Sequence, residues 1–155
     1  MPLPERDAEL EYDCPGLVSA GYSIKSPVDP FYNCVAFAIG DVENYWDDVK
    51  VKGYYWPPGC SADTVDGWVC VFRLHGYEEC GSESLELDFE KIAIYGSANN
   101  PGHVARQKAS GVWVSKMGKG CDIEHSTLSA VECEIMGKIV RIMKRRCRDG
   151  RRVLE

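Results

Sequence analysis

The chain has 155 residues, of which 45% are apolar and 27% charged, as is typical of one globular domain large enough to bury its own core. Its formal net charge of −6 argues against a nucleic-acid partner, because neutralising phosphates requires a basic surface. No apolar run approaches the length of a membrane span, so the sequence predicts no membrane partner either.

The two ends of the chain differ in character from its middle. Residues 1–30 are polar and rich in proline, and they predict an arm that wraps a domain spanning residues 31–146. The N-terminus lacks a basic segment followed by an apolar one, which predicts a cytoplasmic protein, with export by a signal-independent route as the alternative. Residues 147–155 are basic and predict a solvated tail, or a handle for an acidic protein partner.

The first predicted helix begins at a cysteine. Pro27 and Pro30 disfavour helix immediately upstream, because a residue that precedes proline avoids the α region. Asn33 is then a suitable N-cap, and apolar residues recur at helical spacing after it. The pattern predicts a helix over residues 33–46, with Cys34 in its first turn.

A second helix is predicted after an aromatic loop at residues 54–59. Ser61 or Asp63 can cap this helix, and Gly76 ends it, with His75 as the C-terminal cap. Its inner face would carry apolar residues at helical spacing, namely Val65, Trp68, Val69 and Phe72.

The second half of the chain predicts strands. Residues 89–95 form one strand, residues 96–102 a loop, and residues 103–107 and 112–116 a hairpin. The segment after residue 127 fits one long amphipathic helix or a short helix and an edge strand; Gly137 and the β-branched residues that follow it favour the second. The predicted fold class is therefore α+β, with N-terminal helices packed on a small antiparallel sheet.

Eight cysteines are many for a chain of this length. No Cys-x-x-Cys pair occurs, and Cys60, Cys70 and Cys80 lie ten residues apart, too far for a zinc knuckle. We therefore predict no metal and no cofactor, and expect most cysteines to be small buried apolar residues. A structural zinc protein is the least favoured alternative, and the redox state of the cysteines stays open.

Cys34 and His103 are the two residues whose chemistry stands out. A thiolate at a helix N-terminus is favoured by the positive end of the helix dipole, and an imidazole can hold the transferable proton. We predict Cys34 as a nucleophile and His103, at the start of a strand, as general base and later acid. His125, which follows Asp122 and Glu124, is the rival histidine.

Three short motifs support a resemblance to a known superfamily. Asn33–Ala38 resembles the nucleophile helix of papain-like cysteine hydrolases, particularly the compact NlpC/P60 type, and residues 92–95 and 103–105 are similar to the strands around their histidine. Trp113–Gly118 and Asp122–His125 are similar to the Trp-x-Ser-Lys-x-Gly and Asp-Ile-x-His signatures of an uncharacterised bacterial group. The resemblance implies a papain-like layout.

In the NlpC/P60 pattern a third polar residue on the next strand orients the histidine. Residues 112–116, the equivalent region here, contain no His, Asn, Asp or Gln, which departs from the pattern. Ser115 matches the third residue by position, and Asp122 is the alternative orienting group. A three-residue hairpin loop would pair Ala105 with Ser115 and place Ser115 on the face of His103.

Backbone N–H groups would stabilise the oxyanion, with Cys34 as one donor and Asn33 or Tyr32 as the second. Aromatic residues near the predicted nucleophile would line a substrate cleft. The residues predicted to bind substrate are Asn33, Tyr55, Trp56 and Trp113.

The predicted function is a cysteine-dependent hydrolase or acyltransferase that cleaves amide or peptide bonds through a thioester. Peptidase, amidase and glutamine deamidase activities all fit, with a peptide, a peptidoglycan stem or a protein as substrate. The alternative is a non-catalytic binding module with a papain-like fold, in which Cys34 is merely buried.

Overall fold

The computed structural model describes residues 2–147 and contains an antiparallel seven-stranded sheet with helices on both faces, which is an α+β fold. The helices are α1 (Ala8–Asp13), α2 (Gly16–Ala20), α3 (Cys34–Ile39) and α4 (Val65–Leu74). The strands are β1 (Ser23–Ile24), β2 (Tyr45–Trp46), β3 (Tyr54–Tyr55), β4 (Glu78–Cys80), β5 (Phe89–Ser97), β6 (Asn100–Gln107), β7 (Trp113–Lys116), β8 (Asp122–His125) and β9 (Lys138–Arg146). The strand order in the sheet is β1-β8-β7-β6-β5-β9-β4, and β2 and β3 form a separate parallel pair.

Helix α3 is shorter than the sequence predicts. It begins after Asn33, the predicted N-cap, but ends at Gly40, whose φ of +101° is readily adopted only by glycine. Residues 45–46 lie in β2 instead of the helix, because they pair with β3. The prediction of a helix continuing to residue 46 is therefore wrong, while its start is confirmed.

Helix α4 packs on the same sheet face as α3. Its N-cap is Thr64, one residue after the predicted Asp63, and its buried residues include Val65, Val69 and Phe72 of the predicted inner face. A disulfide between Cys60 and Cys70, which the sequence did not predict, joins the preceding loop to the helix.

The sheet is larger than predicted because β1, β4 and β8 were not predicted as strands, and because β5, β6 and β9 are longer than predicted. Strand β5 continues to residue 97 and β6 begins at residue 100, so the predicted loop at 96–102 is a tight turn. A short 3-10 helix (Leu128–Val131) precedes β9, as predicted, but β9 lies between β5 and β4. The prediction that it is an edge strand is wrong.

The N-terminal residues complete the opposite face of the sheet. Strand β1 pairs with β8 at the sheet edge, and Cys14 and Leu17 are fully buried with the 3-10 helix in a second core cluster. The predicted arm thus contributes helices α1 and α2 and an edge strand. The predicted basic tail, apart from Cys147, lies outside the described residues.

None of the helices within residues 2–147 combines the length and the hydropathy needed to cross a membrane. The same range holds no group of three or more His, Cys, Asp or Glu side chains arranged to bind a metal ion.

Replacing Gly67 by alanine should destabilise the protein even though alanine is the better helix former by about 1 kcal/mol. A Cβ at Gly67 of α4 would lie 1.8 Å from the backbone oxygen of Ser61, so the loop would have to move. We expect the free energy of unfolding to fall by at least ~2 kcal/mol in urea titrations.

Gly81→Ala is the matched control, since a Cβ at Gly81 would have no neighbour within 4 Å. Equal stability of the Gly67→Ala and Gly81→Ala proteins would contradict this packing of α4 on the loop.

Candidate active site

A cleft of about 640 Å³ lies where the start of α3 meets the end of the sheet. Aromatic rings form one wall, and the turn after the 3-10 helix forms the other. The lining residues are Asn33, Cys34, Tyr45, Trp46, Asp47, Trp56, Ala62, Asp63, Trp68, Asn100–His103, Gly118, Ile135 and Met136.

The side chain of Asn33 connects the helix to the cleft wall. Its Oδ1 accepts the N–H of Ala36 at 3.1 Å, which caps α3, and the N–H of Trp46 at 3.2 Å. Its Nδ2 donates to the carbonyl oxygen of Trp46 at 2.8 Å. Asn33 therefore borders the cleft, and both the oxygen and the nitrogen of its amide are hydrogen-bonded to backbone groups.

The aromatic wall is fixed by indole hydrogen bonds. Trp56 Nε1 donates to the carbonyl of Cys60 at 2.8 Å, and Trp68 Nε1 donates to that of Ala62 at 3.0 Å. The Cys60–Cys70 disulfide joins the same loop to α4. These contacts hold the indole rings of Trp56 and Trp68 6.5 Å apart at the cleft.

The Cys34 sulfur faces the sheet at the edge of the cleft. Burial raises the pKa of the Cys34 thiol to about 11, while backbone hydrogen bonds from Val104, Val35 and Cys34 itself act in the opposite direction. The nearby charge of Lys116 also lowers this pKa. The sulfur is thus a buried thiol surrounded by groups that favour its thiolate.

Lys116 is a buried cation that sequence reasoning missed. Its Nζ donates to the carbonyls of Asp29 at 2.6 Å and Gly118 at 2.7 Å, and it lies 4.7 Å from the ring centre of Tyr32. Burial lowers the pKa of Lys116, and the nearby carboxylate of Asp122 raises it. A lysine at the end of a buried apolar strand was the only sequence signal for this role.

Asp122 lies on the Cys34 side of the sheet and does not orient a histidine. The hydroxyl of Tyr32 donates to its carboxylate at 3.2 Å, and its backbone N–H donates to Ser26 Oγ at 2.9 Å. Burial raises the pKa of Asp122. Its side chain therefore fixes Tyr32 beneath Lys116.

The structure does not bring the His103 ring to the Cys34 sulfur. In the β5–β6 pair, Val104 lies opposite Ile94 in the core cluster that contains Cys34, whereas His103 lies opposite Tyr95 in the second cluster. The rings of His103 and Tyr95 are 5.3 Å apart. Alternation along β6 thus directs the His103 ring to the face opposite Cys34, although the residue itself borders the cleft near the start of the strand.

The His103 ring is fully buried there. Within residues 2–147 neither of its ring nitrogens has a hydrogen-bond partner. Burial, and to a lesser extent the neighbouring His125, lower the pKa of His103 to about 3. His103 is therefore neutral at physiological pH, and its ring contributes no base to Cys34 in this arrangement.

Ser115 lies on the face of His103 but binds His125. The β6–β7 register places Arg106 opposite Val114 and Gln107 opposite Trp113, which is the register that a three-residue loop predicts. His125 Nδ1 donates to the carbonyl of Thr127 at 3.0 Å, and its Nε2 accepts the Ser115 hydroxyl proton at 2.7 Å. This buried pair leaves His103 without the predicted orienting group.

Two of the predicted substrate-binding residues lie away from the cleft. Trp113 is 2% exposed and belongs to the second core cluster. Tyr55 is 46% exposed and packs edge-on against Trp46 outside the cleft lining. Asn33 and Trp56 do line the cleft.

Three further aromatic residues line the cleft and were not predicted to bind substrate. Trp68 was predicted only as part of the inner face of its helix. Tyr45 and Trp46 were missed because the sequence pattern assigned them to a helix.

Stability should fall in acid because of His103. Its pKa is near 6.5 in the unfolded chain and about 3 in the fold, so below pH 6.5 the unfolded state binds a proton that the folded state does not. We expect the protonation of His103 in the unfolded state to lower the free energy of unfolding by about 2 kcal/mol as the pH falls from 7 to 5.

Urea unfolding of the wild type and of His103→Phe at both pH values measures this effect. Phenylalanine keeps a ring in the site and cannot titrate. The variant should therefore lose about 2 kcal/mol less stability than the wild type between pH 7 and pH 5. An identical loss in both proteins would show that His103 is not buried in its neutral form.

The pH dependence of Cys34 alkylation should show how strongly burial raises the pKa of its thiol. With a thiol pKa of about 11, the rate of modification by iodoacetamide should rise about tenfold per pH unit from pH 7 to pH 9. Peptide mass spectrometry at each pH measures it, and His103→Phe should leave the profile unchanged. A plateau below pH 7 that disappears in His103→Phe would instead indicate a Cys34–His103 ion pair.

No curated protein and no solved structure matches the chain. One family model does match, over residues 23–144, and this range contains the whole cleft lining and the sheet from β1 to most of β9. Because that match covers well over half of the chain, the protein belongs to the family described as a domain of unknown function, DUF7689.

Proposed function

We propose that this protein is a cysteine-dependent hydrolase or acyltransferase of amide bonds, papain-like in layout, with Cys34 as its nucleophile. The observation that carries the proposal is the position of Cys34, the first residue of α3, at the edge of a 640 Å³ cleft. A cysteine that meets both a ligand-sized cleft and thiolate-stabilising groups is suited to covalent catalysis.

Lys116 replaces His103 as the charged partner in this proposal. Its ammonium group is held by two carbonyl oxygens, so its charge stays fixed near Cys34. A neighbouring cation favours the thiolate over the thiol. A substrate that displaces water from the cleft strengthens this attraction, because the local dielectric constant falls.

The reaction follows the chemistry of a thioester. The Cys34 sulfur attacks the amide carbonyl carbon, a C–S bond forms as the C–N bond breaks, and the amine leaves with the thiol proton. Water or a second amine then attacks the thioester carbonyl, which releases the acid or new amide and returns a proton to the sulfur. Backbone N–H groups around Cys34 are the donors available to the developing oxyanion.

The cleft lining favours a particular kind of substrate. Tyr45, Trp46, Trp56 and Trp68 present aromatic surface, and the carboxylates of Asp47 and Asp63 add negative charge. In the described part of the chain no lysine or arginine lines this cleft. A peptide, a peptidoglycan stem or a protein segment that carries an amine next to its amide bond fits this combination.

The second candidate function is a non-catalytic binding module. Two observations favour it: the thiol of Cys34 is buried, and within residues 2–147 no side chain that could act as a base hydrogen-bonds to its sulfur. In that case the aromatic cleft binds a ligand, and Cys34 is a buried core residue without a catalytic role.

The two functions predict different results with Cys34→Ala. We expect the wild type to release ammonia or new amino termini from a mixture of peptide amides and peptidoglycan stem peptides, and Cys34→Ala to release neither. Lys116→Met should lower the rate at least ~10-fold, because it removes the charge that favours the thiolate.

The controls separate chemistry from binding. Cys121→Ala removes another buried cysteine that does not line the cleft, and it should keep full activity. Equal amounts of product from the wild type and from Cys34→Ala would refute the proposal that Cys34 is the nucleophile. Quenching of tryptophan fluorescence by the same peptides in both proteins, without product, would establish the binding module.

A further inference from the structure

Cys14 and Cys133 lie close together on the side of the sheet opposite Cys34. Their Sγ atoms are 3.0 Å apart although the residues are separated by 119 positions in the chain. This distance is shorter than the roughly 3.5–4.0 Å at which two unbonded carbon atoms touch, and sulfur is the larger atom. The two thiols are in direct contact and need about 1 Å of movement to reach the bonding distance.

We propose that Cys14 and Cys133 are a redox-active dithiol that a peroxide converts to a disulfide, fixing the turn that borders the cleft. This inference does not depend on catalysis by Cys34, because it concerns different cysteines and a different reaction.

The two cysteines differ in accessibility. Cys14 follows α1 and is fully buried, and its Sγ lies 3.9 Å from the carbonyl oxygen of Val131. Cys133 is half-buried, and its sulfur accepts the backbone N–H of Met136 at 3.5 Å. The accessible Cys133 therefore meets the oxidant first, and the buried Cys14 is placed to resolve the oxidised sulfur.

The reaction balances with hydrogen peroxide as the oxidant. The Cys133 sulfur attacks one peroxide oxygen and breaks the O–O bond, which gives a sulfenic acid and one water molecule. The Cys14 sulfur then attacks the Cys133 sulfur, the S–S bond forms, and the hydroxyl group leaves as a second water molecule with the Cys14 proton. Two electrons pass from the two sulfurs to the peroxide.

The turn at residues 133–137, here called the cleft turn, links this pair to the cleft. Cys133 and Gly137 exchange two backbone hydrogen bonds across it, at 3.3 and 2.8 Å. Ile135 and Met136 lie between them and line the cleft. A disulfide at Cys133 would therefore attach the cleft wall to Cys14, which is fully buried between α1 and α2.

Close backbone packing transmits the constraint. A Cβ at Gly102 would lie 2.2 Å from the carbonyl oxygen of Met136, so the cleft turn rests directly on the start of β6. Fixing one end of the turn at Cys133 thus limits the separation of the turn from β6.

Peptide mapping of the whole protein tests the proposal without any variant. Fully reduced protein is treated with increasing hydrogen peroxide, the remaining thiols are blocked with N-ethylmaleimide, and the digest is analysed without reduction. We expect a cross-linked peptide pair that contains Cys14 and Cys133. Oxidation of Cys133 to a sulfinic acid without this cross-link would overturn the proposal.

Two further measurements test the link to the cleft turn. Amide hydrogen exchange at residues 134–137 should slow at least ~10-fold after oxidation, and Tm should rise by roughly 5–15 °C. In Cys133→Ser, exchange at these residues should be unchanged. Any rise in its Tm measures the contribution of the Cys60–Cys70 disulfide and is subtracted from the wild-type rise. Cys80→Ser, which changes another half-buried cysteine, should behave as wild type. Unchanged exchange in the cross-linked wild type would overturn the coupling.

Discussion

The side-chain amide of Asn33 is the contact on which the cleft depends. It caps α3 through Ala36 and pairs with both backbone groups of Trp46, as a neighbouring strand would. One residue thus determines where α3 begins, where Cys34 stands and where the aromatic wall starts. Loss of this amide would leave backbone groups unpaired at the helix N-terminus and at a buried tryptophan, a cost of about 1–3 kcal/mol for each buried group. Stability and the shape of the cleft are therefore inseparable at this position.

The central sheet separates two buried polar clusters. One contains Cys34, Lys116 and Asp122, and the other contains His103, Ser115 and His125. Successive residues of a strand point to opposite faces, so Ser115 and Lys116 belong to different clusters although they are neighbours in sequence. A shift of one residue in the register of β6 would exchange His103 and Val104 between the faces. The register of β6 therefore decides which of these side chains lie on the same face of the sheet as Cys34.

Local signals in the sequence predicted much of the fold. Asn33 as a cap, the apolar face of α4, and the hairpin of β6 and β7 all depend on nearby residues and were predicted correctly. The inner position of β9 and the edge position of β1 depend on which distant strands pair, and no local pattern encodes that choice. The candidate site was harder to predict for the same reason. The position of Cys34 at the start of α3 follows from local sequence, but the face of the sheet that carries the His103 ring depends on how β6 packs against α3.

Lys116 shows how a buried charge can be both tolerated and useful. An ammonium group in the interior is strongly unfavourable unless it is hydrogen-bonded and paired. Here two carbonyl oxygens and the face of Tyr32 solvate it, and the hydroxyl of that same Tyr32 binds Asp122. All of these groups belong to the fold, so the electrostatic field at Cys34 would need no reorganisation in the proposed reaction. A histidine would supply a mobile proton, whereas this arrangement supplies a fixed positive charge. In the proposed reaction this charge offsets part of the cost that burial adds to the thiolate, no side chain acts as a base, and the thiol proton leaves with the amine.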